Sequence, residues 1–237
     1  MKEETSGIPV SQEKLLNIAD DWEQKAKAHP ELDEYGINQE FITQFETDKA
    51  AAREFKTADE VDKETAVFTA NKRRKNKECY KWIKTAHLHY EKVYPDKNSP
   101  EYKLFPSDYA RANRDDVHTA NIIPDITKLL TDNQGALVKK GMKIEFIAQG
   151  TTLLSELQEV QMQHKKKLED DELYTIKRRI ALSKVYNAIN QISQAGKLKY
   201  ENDPTIGDYF DTPWPKDNKK ASTNNTVNTQ TVTEQPR

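Results

Sequence analysis

The chain has 237 residues, of which 35% are hydrophobic and 32% charged, and its 37 Lys and Arg nearly balance its 39 Asp and Glu. This balance excludes a general electrostatic attraction to nucleic acid or to an anionic membrane, so such binding would need a local cluster. One cysteine excludes an intramolecular disulfide framework, and only seven glycines favour amphipathic helices with solvated faces over an α/β enzyme.

The first predicted helix follows Pro9, which sets an entry turn, and Ser11, a candidate N-cap. Gly36 marks the next connection, and from Asn38 to Tyr94 the chain contains neither glycine nor proline, which is typical of helix. A polar stretch begins at Lys56 and includes Thr57, a candidate cap. We expect the long helix to fold back there as a hairpin, because a lone helix of this length would lack a packing partner.

Residues 95–116 contain prolines and aromatic side chains, which predict a connection that packs against the end of a bundle. Residues 145–163 and 173–192 carry apolar residues at helical spacing, and the polar segment 164–172 between them predicts a second hairpin. Residues 216–237 are Asn, Thr, Ser and Lys with almost nothing apolar, so we expect a disordered tail.

The two halves of the chain match each other at an offset of about 105 residues. Residues 36–44 align with 141–149 and keep a glycine, a glutamate, a phenylalanine, an isoleucine and a glutamine. Ile8-Pro9 is similar to Ile123-Pro124, although the second copy is then about ten residues shorter before its glycine. Chance similarity between charge-rich helices is the alternative to a duplication.

These patterns predict an all-α fold of two tandem helical-bundle repeats, each of about 105 residues and three main helices. The repeats would span residues 1–106 and 107–215. A single elongated bundle, in which the long helices of both repeats pack together, is the alternative arrangement.

No pattern in the chain predicts catalysis or a cofactor. His87 and His89 are two residues apart, which places them on separate faces of a helix, whereas a helical metal pair needs a spacing of three or four. Cys79 has no histidine at helical contact spacing to activate it, so it is expected to be a core residue. A glycine-rich phosphate loop and a nucleophile elbow are both absent from the sequence. We therefore predict no catalytic residue, no metal site, no cofactor and no enzymatic activity.

Two basic clusters occupy matching places in the two copies, and they are the candidate phosphate-binding residues: Lys72, Arg73, Arg74, Lys177, Arg178 and Arg179. Such clusters could grip phosphates and would make binding strongly dependent on salt. Aromatic residues are not interleaved with them, and the acidic run 169–172 dilutes the field of the second cluster. Nucleic-acid binding is therefore the less favoured alternative.

The order Ile8-Pro9, Trp22, Gly36-Ile37 and then a glycine-free helix with Lys49-Ala50-Ala51-Ala52 resembles a group of uncharacterised bacterial helical-bundle proteins. The likeness covers most of residues 8–105 and is weaker in the second copy. It implies a helical bundle and carries no known activity. We expect a structural or protein-interaction module with an unidentified protein partner.

The sequence also bears on location. No stretch approaches the ~20 apolar residues needed to cross a bilayer, and residues 1–10 lack the apolar core of a signal peptide. A cytoplasmic, unprocessed protein is expected, although a signal removed beforehand would leave no trace in the chain.

Overall fold

A computed structural model describes residues 7–214, and all the regular secondary structure in this part of the chain is helical, as predicted. The predicted disordered tail lies outside the described residues. Residues 7–214 form seven α-helices and four short 3₁₀ helices. The α-helices are α1 (Gln12–Ala28), α2 (Gln39–Arg53), α3 (Ala58–Val93), α4 (Asp116–Asp132), α5 (Gln134–Lys139), α6 (Glu145–Lys199) and α7 (Pro204–Gly207).

The 55-residue helix α6 is the axis of the molecule and is about 83 Å long. Helices α2 and α3 lie end to end along it and run in the opposite direction. Asp48 of α2 pairs with Lys184 at 3.4 Å, and Thr69 of α3 contacts His164 at 3.1 Å. Further along α3, the Trp82 indole donates to the carbonyl of Phe146 near the start of α6.

One apolar core lies where α1 and α2 pack against the C-terminal half of α6. Trp22 and Phe45 are buried there against α6 residues from Leu182 to Ala195. After α6 ends, the chain turns back and buries Phe210 in the same core. The side chain of Phe210 lies directly over Gly196, where there is no space for a Cβ atom.

The second core lies at the other end, where the C-terminal half of α3, α4 and the N-terminal half of α6 meet. Tyr90 and Leu157 are fully buried in it, and Phe105 from the connecting segment closes it. This confirms that residues 95–116 pack against a bundle. Each core combines residues from before and after residue 106.

The two halves begin with the same local structure. Helices α1 and α4 each have 17 residues, and each is followed by a six-residue helix, Pro30–Tyr35 and Gln134–Lys139. A left-handed glycine ends both units, Gly36 at φ 84° and Gly141 at φ 91°. Glycine adopts this conformation without the strain that a Cβ atom would cause.

The predicted correspondence between Ile8-Pro9 and Ile123-Pro124 is wrong in the structure. Pro9 precedes α1, whereas Pro124 lies inside α4. The correspondence of the two 17-residue helices instead places Gln12 with Asp116, and their N-caps Ser11 and Asp115 then also match.

Both predicted hairpins are also wrong. The chain does break where expected, because Thr57 and Glu60 form a capping box that begins α3. However, α2 and α3 both pack on α6 rather than folding back on each other. In the second half, residues 164–172 continue α6, because their charges form ion pairs one helical turn apart, such as Lys167 with Asp171 at 2.7 Å. The long helices therefore pack together along their lengths, as in the alternative elongated bundle.

Candidate functional site

Between the two cores the molecule narrows to the antiparallel pair α3 and α6. No α6 residue between 160 and 181 belongs to either apolar core. The two helices are joined here largely by polar contacts: Thr65 donates to Asp171, and Lys167 pairs with Glu64 at 3.1 Å. Helix α4 reaches this stretch only at its edge, where Gln161 donates to Asp116 at 2.8 Å, and the side of α6 opposite α3 is exposed to solvent.

Four large apolar side chains lie on that open side, and we call them the α6 stripe: Met162, Leu173, Ile176 and Ile180. Their exposed fractions are 66%, 52%, 46% and 56%. At 3.6 residues per turn, the four Cα positions fall within an arc of about 60° around the helix axis. His164 and Asp171, which contact α3, lie about 160° away from the centre of this arc. Leu173, Ile176 and Ile180 therefore form an apolar line on the face of α6 opposite α3, and Met162 lies on the same face beyond the charged residues Lys166 and Glu169.

The basic cluster near this stripe is divided by its helical spacing. Arg178 is 8% exposed and its guanidinium donates to the carbonyl of Lys56 at 3.4 Å, at the junction of α2 and α3. Lys177 and Arg179 are exposed on either side of the stripe. The predicted three-residue phosphate site is thus reduced to two separated cations.

The first basic cluster contributes to a cleft of about 360 Å³ between α3, the end of the connecting segment and the start of α4. Lys72 and Arg73 line it, together with Lys77, which ends the same basic run, and Arg114, which sequence reasoning missed. Asp116 also lines the cleft and pairs with Lys72 at 3.5 Å, which neutralises part of the positive charge. Neutral polar side chains complete the wall: Thr69, Asn76 and Asn113.

The two predicted clusters do not meet. The cleft lies beside His164, whereas Arg178 lies 14 positions further along α6, which corresponds to about 21 Å. Arg74 is exposed and lines a shallow groove on α3 rather than the cleft. A ligand that contacted both clusters would have to be extended along the α3–α6 pair.

The histidine and cysteine side chains occupy packing positions. His87 stacks on Tyr109, with ring centroids 4.6 Å apart, and burial lowers its pKa. Cys79 is fully buried, and burial raises the pKa of its thiol to about 11, so it is protonated at neutral pH. Within residues 7–214, no group of three or more His, Cys, Asp or Glu residues is arranged to hold a metal ion.

One acid–base cluster was not predicted, because its members are distant in sequence. Tyr200, which follows α6, donates to Glu31 and contacts the His29 ring nitrogen at 2.9 Å. The hydrogen bond from Tyr200 lowers the pKa of Glu31 to about 2, and the pKa of Tyr200 is raised to about 12, chiefly by burial. His29 also packs on Phe210 with ring centroids 5.2 Å apart. These contacts attach the 3₁₀ turn Pro30–Tyr35 to the end of α6.

None of the helices in residues 7–214 has the length and apolar character needed to cross a membrane. No family model matches the chain, and no characterised protein or solved structure has significant similarity to it. The resemblance to bacterial helical-bundle proteins therefore stays a prediction.

Proposed function

We propose that this chain is a protein-interaction module that binds its partner through the α6 stripe. The observation that carries the proposal is the alignment of four large apolar side chains, each 46–66% exposed, on the uncovered face of α6. Apolar surface of this kind is stabilised when a partner removes it from water.

Alignment distinguishes the stripe from ordinary exposed apolar residues. Leu88 and Val117 are 56% and 63% exposed, but they lie on different helices and extend no common line. Single exposed apolar residues are normal on protein surfaces. Residues spaced by three, four and seven positions instead form the contact line that a second helix recognises.

The proposal can be tested by comparing two variants with equal exposure at the substituted position. Ile180→Asp places a charge in the stripe, and Leu88→Asp places one outside it, since both side chains are 56% exposed. Purified native and variant chains would be used to capture proteins from a lysate after nuclease treatment. Proteins retained by native chain and by Leu88→Asp but lost from Ile180→Asp would support the proposal. Equal retention by all three chains would refute it.

The cationic cleft favours a second candidate function, binding of a phosphate-containing ligand such as nucleic acid. Lys72, Arg73, Lys77 and Arg114 converge on one cleft, opposed there by Asp116 alone among the acidic side chains that line it. Binding of a labelled oligonucleotide should then weaken steeply as salt is raised. Arg73→Ala with Lys77→Ala should reduce the salt slope, whereas Arg179→Ala, outside the cleft, should not. Salt-independent binding or unchanged slopes would exclude this candidate.

We also propose that the two halves form a tandem repeat. The equal lengths of α1 and α4, the six-residue helices that follow and the left-handed Gly36 and Gly141 support this relation. The same hydrogen bond closes both units: Ile37 donates to Leu32, and Met142 donates to Leu137, each at 3.1 Å. Duplication would explain why each core has one 17-residue helix packed on α6.

A further inference from the structure

We infer that the occupant of the α6 stripe is a second copy of this chain, packed antiparallel on the same stripe. The inference rests on the proposed function, because it names the partner of that surface. In this dimer, α3 and α6 of both copies form a layer of four helices. The two α6 helices lie at its centre, and each α3 lies on the outside.

The apolar residues set the register. Leu173 and Ile180 take equivalent positions of a seven-residue repeat, and Ile176 lies between them at coiled-coil spacing. An antiparallel second copy places Leu173 against Ile176 of that copy, and Ile176 against its Leu173. A two-fold axis then passes between residues 174 and 175, so that one surface is complementary to itself.

The charges beside the stripe fit this register. In the antiparallel alignment, Glu172 lies opposite Arg179 of the second copy, and Asp170 lies opposite its Lys177. Two-fold symmetry repeats both pairs, which makes four attractive contacts around the apolar centre. The acidic run 169–172 and the basic run 177–179, which dilute each other's field in a single copy, become complementary between copies.

These four side chains are available for such contacts. Asp170, Glu172, Lys177 and Arg179 are all exposed, and none of them makes an ion pair within residues 7–214. The neighbouring acids are already engaged inside the chain: Asp171 pairs with Lys167, and Glu169 with Lys165. The charges that flank Leu173, Ile176 and Ile180 are therefore free to pair with a second copy.

A parallel second copy fits less well. It would place Glu172 beside Lys177, which is attractive, but also Glu169 against Glu169 along the contact line and Arg179 beside Lys184, which are both repulsive. The antiparallel arrangement instead places Glu169 opposite Ile180, where its aliphatic stem can pack. Because the contact involves one helix from each copy, we expect a dissociation constant on the order of micromolar, at the weak end of specific interfaces.

Sedimentation of the full chain over a concentration series tests the dimer. Native chain and Leu88→Asp should dimerise alike, and Ile180→Asp should weaken dimerisation by more than about tenfold, because it buries a charge in the contact. A native chain that is monomeric up to millimolar concentration would overturn the inference. If Ile180→Asp still abolished capture of another protein in that case, the proposed function would stand without the dimer.

Charge reversal tests the register. Arg179→Glu or Glu172→Arg alone should weaken dimerisation by about fivefold to tenfold, since each turns two attractive contacts into repulsive ones. The double variant Glu172→Arg with Arg179→Glu should restore it, because the opposed pairs are re-formed with exchanged signs. The reversal Lys81→Glu, at an exposed site on α3, should change nothing. Failure of the double variant to recover would overturn the antiparallel register.

Disulfide trapping tests the orientation directly. A mixture of Glu169→Cys and Ile180→Cys chains should form a mixed disulfide, because these positions are opposed only in the antiparallel arrangement. Each variant alone should not crosslink, since two copies of position 180 would be separated by about 16 Å along the axis, beyond disulfide reach. The native Cys79 is fully buried and should stay silent. Crosslinks within each single variant would indicate a parallel dimer and overturn the inference.

Discussion

Gly150 in α6 should be intolerant of even one added methyl group. The indole of Trp82 lies over it, and a Cβ atom built at residue 150 would be 2.6 Å from Cη2 of that ring and 2.9 Å from Cε2. The ring has little freedom to move, because its Nε1 donates to the Phe146 carbonyl at 2.9 Å and its face stacks on the Phe146 ring at 5.4 Å.

The expected change in the free energy of unfolding of Gly150→Ala is the difference between opposing effects. Alanine favours a helix interior over glycine by about 1 kcal/mol. Overpacking a rigid neighbour costs about 1–3 kcal/mol, and weakening the Trp82 hydrogen bond costs about 1 kcal/mol more. The free energy of unfolding should therefore fall by about 1–3 kcal/mol. Gly135→Ala in α5 is the matched control, because its added Cβ would meet no atom within 4 Å apart from its chain neighbours and its own helix backbone, and it should gain up to about 1 kcal/mol.

Urea denaturation followed by circular dichroism would measure both variants against the native chain. A Gly150→Ala chain as stable as the native chain, alongside a stabilised Gly135→Ala chain, would show that the interface between α3 and α6 is looser than described. The reasoning from close packing would then be refuted. The same experiment on Gly196→Ala, beneath Phe210, should also show a loss.

Three further predictions concern titratable groups. Lys49 is 5% exposed and pairs with Asp20 at 2.8 Å and with Glu23, so Lys49→Met should destabilise the chain at pH 7 by about 1–3 kcal/mol in urea titrations. Burial by itself raises the pKa of Glu23, but hydrogen bonds from Lys27 and Lys49 more than offset this and lower it below 4.5. The stability from this pairing is present above pH 4.5 and is lost as the pH falls below it. The difference in unfolding free energy between native chain and Lys49→Met should therefore shrink in acid, and a difference that stays constant would contradict the pairing. Burial raises the pKa of Tyr90 from 10.0 to about 12. The contribution of neutral Tyr90 to stability is therefore complete below pH 10 and is lost as the pH rises through 12. Tyr90→Phe should flatten this alkaline loss of stability, whereas Tyr35→Phe, at an exposed site, should not. Cys79, with its raised pKa, should react with a thiol reagent only after unfolding, and prompt reaction of the native chain would show that it is accessible.

Local signals predicted helix beginnings well. Ser11 accepts from the backbone amide of Lys14 at 3.4 Å, and Thr57 caps α3 as its sequence context suggested. Caps act within a single turn, so they can be recognised without knowledge of the fold. The aromatic content of residues 95–116 likewise predicted packing, and Phe105 is buried.

Polar composition was a poor guide to helix ends. Residues 56–64 and 164–172 are both polar, yet only the first contains a break. In residues 164–172 the charges lie on a helix whose opposite side is held by α3, through Thr69 and Glu64. A sequence alone does not distinguish a turn from a solvated helix face when both are rich in charge.

The candidate surfaces also combine features that are visible in the sequence with features that depend on the tertiary structure. The helical spacing of Leu173, Ile176 and Ile180 is visible in the sequence, but the predicted hairpin would pack these residues against a neighbouring helix. Only the placement of α3 on the opposite face of α6 leaves them exposed. The cationic cleft also depends on tertiary structure, because Arg114 comes from the connecting segment and Lys77 from the middle of α3.

Helical periodicity, caps and the positions that require glycine are properties of neighbouring residues, and they establish the all-α class and where most helices begin. Which helices pack together depends on distant contacts: whether α2 meets α3 or α6, and which side of α6 stays open. Those contacts are decided by the burial of apolar area summed over the whole molecule, to which each local segment contributes only a part.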